Sequence, residues 1–205
     1  FFGTGDRADP EENGVVNRIY AIRNNWENPL TFDTLTESDL VDVTADLIQL
    51  GTNVQKQAVK TALKTSRGWF FKLENPGEKI ISSVIVYNKV LYFTTYEPES
   101  EIPDVSDPCT SVSGLGTARF YAVDYKTGGA VADYSETTET DAEGKTVTYG
   151  KKDRSKVIGS SIASSPVIAV FSSGAVIYVG VEGGIETIDP VEDLSMYHFY
   201  WRQTY

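Results

Sequence analysis

Three segments of the chain repeat one two-strand pattern. The first pairs Phe1-Phe2-Gly3-Thr4-Gly5 with Arg18-Ile19-Tyr20-Ala21-Ile22-Arg23. The second pairs Leu91-Tyr92-Phe93-Thr94-Thr95-Tyr96 with Arg119-Phe120-Tyr121-Ala122-Val123-Asp124. The third pairs Ile177-Tyr178-Val179-Gly180-Val181 with Ile185-Glu186-Thr187-Ile188-Asp189. Their first strands begin at Phe1, Leu91 and Ile177, a spacing of roughly 90 residues. Strand pairs recurring at a fixed period are the mark of a sheet repeated around an axis, a β-propeller. Because the first pair opens the chain, the sequence begins inside a repeat.

With strands lettered A to D from the axis outward, the first unit has B over 1–5, C over 16–24 and D over 68–73. The second has A over 79–87, B over 90–97, C over 117–125 and D over 129–135. The third has A over 162–171, B over 175–182 and C over 184–189, with a D strand in the tail His198-Phe199-Tyr200-Trp201-Arg202-Gln203. Turn chemistry supports these limits: Asn75-Pro76-Gly77, Asn88-Lys89, Lys126-Thr127-Gly128-Gly129 and Ser172-Ser173-Gly174 all separate apolar runs. The expectation is an all-β chain: a partial β-propeller of about two and three-quarter blades, with a small helical insertion over residues 36–66. In the insertion, Ser38 or Asp39 would cap a helix through Leu40, Val43, Leu47 and Ile48, stopped by Gly51. A second helix fits Val54 to Lys64, with Val54, Ala58, Ala62 and Leu63 on one side and Lys56, Lys60 and Lys64 as a basic stripe.

Propellers close with roughly 4 to 8 blades, and fewer leave apolar faces and strand edges open. We therefore expect residues 1–205 to be the C-terminal part of one propeller domain, completed by the rest of the same protein or by a second chain.

Composition narrows the chemistry. The 205 residues carry a net charge of −11 and a pI of about 4.6. Such a surface repels phosphate backbones, which argues against nucleic acid. No apolar run is long enough to span a membrane. His198 is the only histidine and Cys109 the only cysteine, so neither a multi-histidine metal site nor an internal disulfide is available within the chain. Cys109 reads either as a buried thiol or as one half of a bridge to another segment or chain. The acids of the B–C loops, Asp6, Asp9, Glu11 and Glu12 in one, and Glu97, Glu99, Glu101, Asp104 and Asp107 in the other, lack the regular spacing of a calcium loop. They read as solvated loops, with a bound hard cation such as calcium as the alternative. The short Gly3-x-Gly5 and Gly114-Leu115-Gly116 runs precede strands, so they are not phosphate cradles. Ser160, Ser161, Ser164 and Ser165 have no histidine partner in the pattern. Trp69 and Trp201 occupy equivalent D-strand positions and read as packing between blades. No residue is assigned a catalytic, cofactor-binding or metal-ligating role, and no cofactor is expected.

Several strings are specific when taken in order. They are Gly3-Thr4-Gly5-Asp6-Arg7 with Asn17-Arg18-Ile19-Tyr20-Ala21-Ile22, Gly68-Trp69-Phe70, and Gly77-Glu78-Lys79-Ile80-Ile81-Ser82-Ser83. Asp107-Pro108-Cys109 then leads into Gly116-Thr117-Ala118-Arg119-Phe120-Tyr121-Ala122-Val123-Asp124-Tyr125-Lys126-Thr127-Gly128, and Tyr200-Trp201-Arg202-Gln203 closes the chain. Over nearly its whole length the sequence resembles the C-terminal propeller of the PilY/PilC type IV pilus biogenesis and tip-adhesin family. The resemblance implies an exported, non-enzymatic protein at the pilus tip or cell surface, periplasmic in transit, with minor pilins and a host or abiotic surface as partners. The family's calcium loop has no match here. Two other readings stand beside it. One is a quinoprotein-type propeller enzyme, which a lone Cys109 and no evident cofactor cage disfavour. The other is a self-assembling extracellular filament or surface protein whose open sheet edges pair between chains.

Overall fold

The computed structural model describes residues 1–23, 34–99 and 115–191. They form three mostly antiparallel sheets stacked face to face, with a helical insertion beside the first. None of the sheets closes on itself.

The first sheet has the order β1-β2-β4-β3: β1 (Phe2–Gly3), β2 (Arg18–Ile22), β4 (Gly68–Lys72) and β3 (Val41–Asp42). The middle sheet runs β5 (Ile85–Tyr87), β6 (Val90–Glu97), β7 (Thr117–Asp124) and β8 (Ser155–Ser160). The third runs β9 (Val167–Phe171), β10 (Gly174–Val181) and β11 (Gly184–Ile188), with β10 in the centre. Asn88 and Lys89, joining β5 to β6, both take positive φ, 48° and 65°. That is the two-residue hairpin geometry whose twist matches the flanking strands.

Side chains alternate across a strand, so a sheet covered on both faces is apolar throughout. The middle sheet shows this: Leu91, Phe93, Tyr121 and Val123 face one core, with Ile19, Ala21, Trp69 and Phe71 of the first sheet. Tyr92, Phe120 and Ala122 face the other, with Ile177, Val179 and Ile188 of the third. Gly68 is required where β4 meets β2, since its φ is 147° and a Cβ there would lie 1.8 Å from the Ala21 carbonyl oxygen.

Several elements differ from the sequence reading, and the A strands expected over 79–87 and 162–171 form only as the shorter β5 and β9. The helix expected through Leu40, Val43 and Ile48 is broken into a 3₁₀ turn (Glu37–Asp39), strand β3 and a single turn of helix, α1 (Leu47–Leu50). Val41 and Asp42 pair in parallel with Trp69 and Phe70, and the Val43 N–H donates to the Phe70 carbonyl at 2.9 Å. Capping the open edge of β4 outweighs a helical spacing built on β-branched residues. The second helix forms as expected, α2 (Asn53–Thr65), with the Thr52 hydroxyl accepting from the Gln55 N–H. Its inner side is Val59 and Leu63, whereas Val54 and Ala58 are exposed.

The outer strand of the middle sheet is also displaced. Residues 129–135 pair with β7 only at the Val123–Ala130 bridge, the Tyr134 ring packs edge-on against Phe120, and β8 takes the outer place. Gln49 of α1 holds both backbone groups of Ala130: its Nε2 donates to the carbonyl at 3.0 Å and its Oε1 accepts the N–H at 3.2 Å. The chain then crosses to the helices before returning as β8. The expected D strand of the third unit, with Trp201 and His198, lies outside the described residues, as do Cys109 and most of the second acidic loop.

Candidate functional site

Between the first and middle sheets lies a cleft of about 530 Å³. Phe71, Lys72, Glu74 and Asn75 bound it on one side, and Arg119, Tyr121, Ser155 and Val157 on the other. Arg119 and Tyr121 lie opposite Val157 and Ser155 in the β7–β8 register, which places all four on one face of the middle sheet. A 3₁₀ turn (Lys151–Arg154) closes the top. Asp153 fixes that turn by accepting from the Gly150 N–H at 2.8 Å and from the Ser135 N–H at 2.9 Å.

Lys72, Arg119, Lys151, Lys152, Arg154 and Lys156 line this cleft, against Glu74 as its one acidic lining residue. Three of the cations are neutralised. Lys151 pairs with Glu74 at 2.7 Å, Arg119 with Glu97 at 3.0 Å, and Arg154 with Asp46 at 3.4 Å. Lys72, Lys152 and Lys156 have no carboxylate partner among the described residues, and the Lys156 ammonium lies 5.2 Å from the centre of the Tyr134 ring.

Arg154 is the innermost of these cations, 4% exposed. Its guanidinium lies 4.6 Å from the centre of the Phe71 ring and donates to the carbonyls of Val43 and Thr44. Its Nε–H has no partner among the described residues. Asp46, fully buried in left-handed backbone at φ 51°, is held by that one ion pair. Burial pushes its carboxyl up to about 6, and the nearby Arg154 charge only partly opposes that.

Beneath the cleft lies a satisfied polar core. Glu78 is fully buried; its carboxylate accepts from Thr95 Oγ1 at 2.6 Å, from the Tyr121 hydroxyl at 2.8 Å and from Asn75 Nδ2 at 2.8 Å. Burial first, and then the Glu78 charge, raises the Tyr121 phenol well above its usual range.

The residues singled out from sequence are placed differently. The first acidic loop, 6–14, is wrapped round an ammonium group: Lys79 Nζ donates to the carbonyls of Asp9, Pro10 and Glu12 at 3.1, 2.6 and 2.7 Å. Those inward oxygens already serve a cation supplied by the chain. Among the described residues no three His, Cys, Asp or Glu side chains converge as metal ligands would. Lys56 of the helical stripe donates to Asp141 at 2.6 Å, while Lys60 and Lys64 are exposed. Trp69 packs on Phe71, with ring centres 5.9 Å apart, and its indole N–H donates to the Tyr125 carbonyl at 3.1 Å. The basic cleft escaped the sequence reading, because its residues come from three distant stretches on an acidic chain. Lys151-Lys152-Asp153-Arg154-Ser155-Lys156 was the one local signal.

No family model matches the sequence, and no curated protein does. A solved structure does match: the C-terminal domain of Pseudomonas aeruginosa PilY1, at a TM-score of 0.51 and 14% identity. The match covers 90% of this chain and 40% of that one. No described helix is long and apolar enough to cross a membrane. The chain has a PilY1-like fold.

Proposed function

We propose that this chain is the C-terminal part of a β-propeller in a type IV pilus assembly and tip-adhesin factor. It acts by binding proteins and surfaces, without catalysis, after export to the pilus tip or cell surface. The observation that carries the reading is the likeness to the PilY1 C-terminal domain over 90% of the chain. Two independent features support it: the ordered strings from Gly3-Thr4-Gly5 to Tyr125-Lys126-Thr127-Gly128, and three successive stacked sheets repeating at roughly 90 residues. In this reading each sheet is a blade, and the remainder of the same protein or a second chain completes the ring. Minor pilins and a host or abiotic surface are the partners.

The test is genetic. Deleting the gene in its source organism should reduce surface pili and attachment, and restoring it should recover both. Unchanged piliation and attachment would reject the reading.

A further inference from the structure

We propose that the basic cleft between the first and middle sheets binds a small multivalent anion, one carrying at least two phosphate or carboxylate groups. The site stands apart from the pilus reading and rests on its own geometry. A chain with a net charge of −11 gathers six cationic residues around one pocket that holds a single acidic lining residue, Glu74. Like charges crowded together repel unless something neutralises them. Glu74, Glu97 and Asp46 account for Lys151, Arg119 and Arg154, which leaves Lys72, Lys152 and Lys156 without a carboxylate partner among the described residues. Among the described residues the only carboxylate bonded to this trio is Glu139, which accepts the backbone N–H of Lys152 at 3.1 Å.

The class of ligand follows from three features. The cleft, about 530 Å³, falls in the range of small-molecule sites, roughly 300 to 1,000 Å³. The overall negative charge of the chain opposes an extended polyanion such as nucleic acid. The unneutralised cations are all lysines, which present rotatable point charges and not a planar fork, so they select charge over shape and accept phosphate and carboxylate alike. One exposed lysine–anion pair contributes about 0–1 kcal/mol, so retention requires several contacts at once and hence a multivalent ligand.

Isothermal titration calorimetry of the whole chain at low salt, with inorganic pyrophosphate and with citrate, tests this. The expected result is saturable one-to-one binding of at least one probe, and which one binds more tightly identifies phosphate or carboxylate as the preferred group. Binding should weaken by roughly tenfold or more in K152E/K156E, equivalent to about 1.4 kcal/mol. It should be unchanged in K60E/K64E, which alters the net charge equally on the exposed side of α2. Amide signals of Lys72, Ser155 and Lys156 should move on titration of the unmutated chain, which locates the site even if a variant misfolds. No saturable heat with either probe, or an equal loss in the two variants, would overturn the proposal.

Discussion

Asp46 and Arg154 form one buried ion pair between the insertion and the turn that leads into β8. Neither stands out in the sequence: both read as surface charges, and only the fold buries them against each other. A carboxyl raised to about 6 binds protons more readily folded than unfolded, where the usual value is 3.8. Its contribution to stability is therefore complete below about pH 4 and is lost as pH rises through about 6. Carboxyl-carbon NMR should show Asp46 titrating near 6. A titration near 4 would mean that the side chain is solvated. Tyr121 gives a second test. Tyr121→Phe removes one of two donors to Glu78 Oε1 and leaves a buried carboxylate short of a partner, at a cost of about 1–3 kcal/mol. Urea denaturation should show that loss, and an unchanged midpoint would remove Tyr121 from the supporting network. Lys79 was equally hidden, since no sequence pattern tells that its ammonium is spent on the backbone of a loop some 70 residues earlier.

At the scale of elements, strands with two covered faces and clear turns were legible. β6 and β7 fall within a residue or so of their expected limits, because continuous apolar runs after Asn88-Lys89 leave little choice; β10 and β11 do so too, bounded by the Ser172-Ser173-Gly174 turn, although β11 is mostly exposed. The misreadings share one cause: a tertiary partner outcompeted a local pattern. The edge of β4 drew Val41 and Asp42 into a strand, and Gln49 captured Ala130 and kept 129–135 out of the sheet. Residues 136–150 are instead tied to the helices. The Asn53 backbone N–H and side chain donate to Glu143 at 2.8 and 2.7 Å, and Lys56 bonds Asp141. Lys56→Ala should speed amide exchange in 139–147 while leaving β6 and β7 protected. Uniform protection would show that the salt bridge does not anchor the loop. The cleft was not legible at this scale, since its lining comes from both sheets and the Lys151–Arg154 turn and belongs to no single element.

For the whole molecule, the two end sheets set the remaining question. The outer face of the third sheet carries Val167, Phe171 and Ile185, exposed by 60%, 52% and 70%. The corresponding face of the first carries the stacked rings of Phe2, Tyr20 and Phe70, with centres 5.1 and 5.7 Å apart. Sheets in water show polar residues on a solvated face, so apolar outer faces of this kind call for cover. In the proposed propeller that cover is a neighbouring blade on each side. Substituting Val167 and Ile185 with lysine should then raise the solubility of the isolated chain while weakening its assembly with the rest of the protein in a pull-down. Unimpaired assembly would place the contact elsewhere. The most direct test of the central claim is an experimental structure of the natural full-length protein. The expected result is three sheets as consecutive blades of one closed ring, with Phe2 and Tyr20 against a blade on one side and Val167 and Ile185 against a blade on the other. Three sheets with both outer faces open to solvent, or separated by unrelated elements, would contradict it.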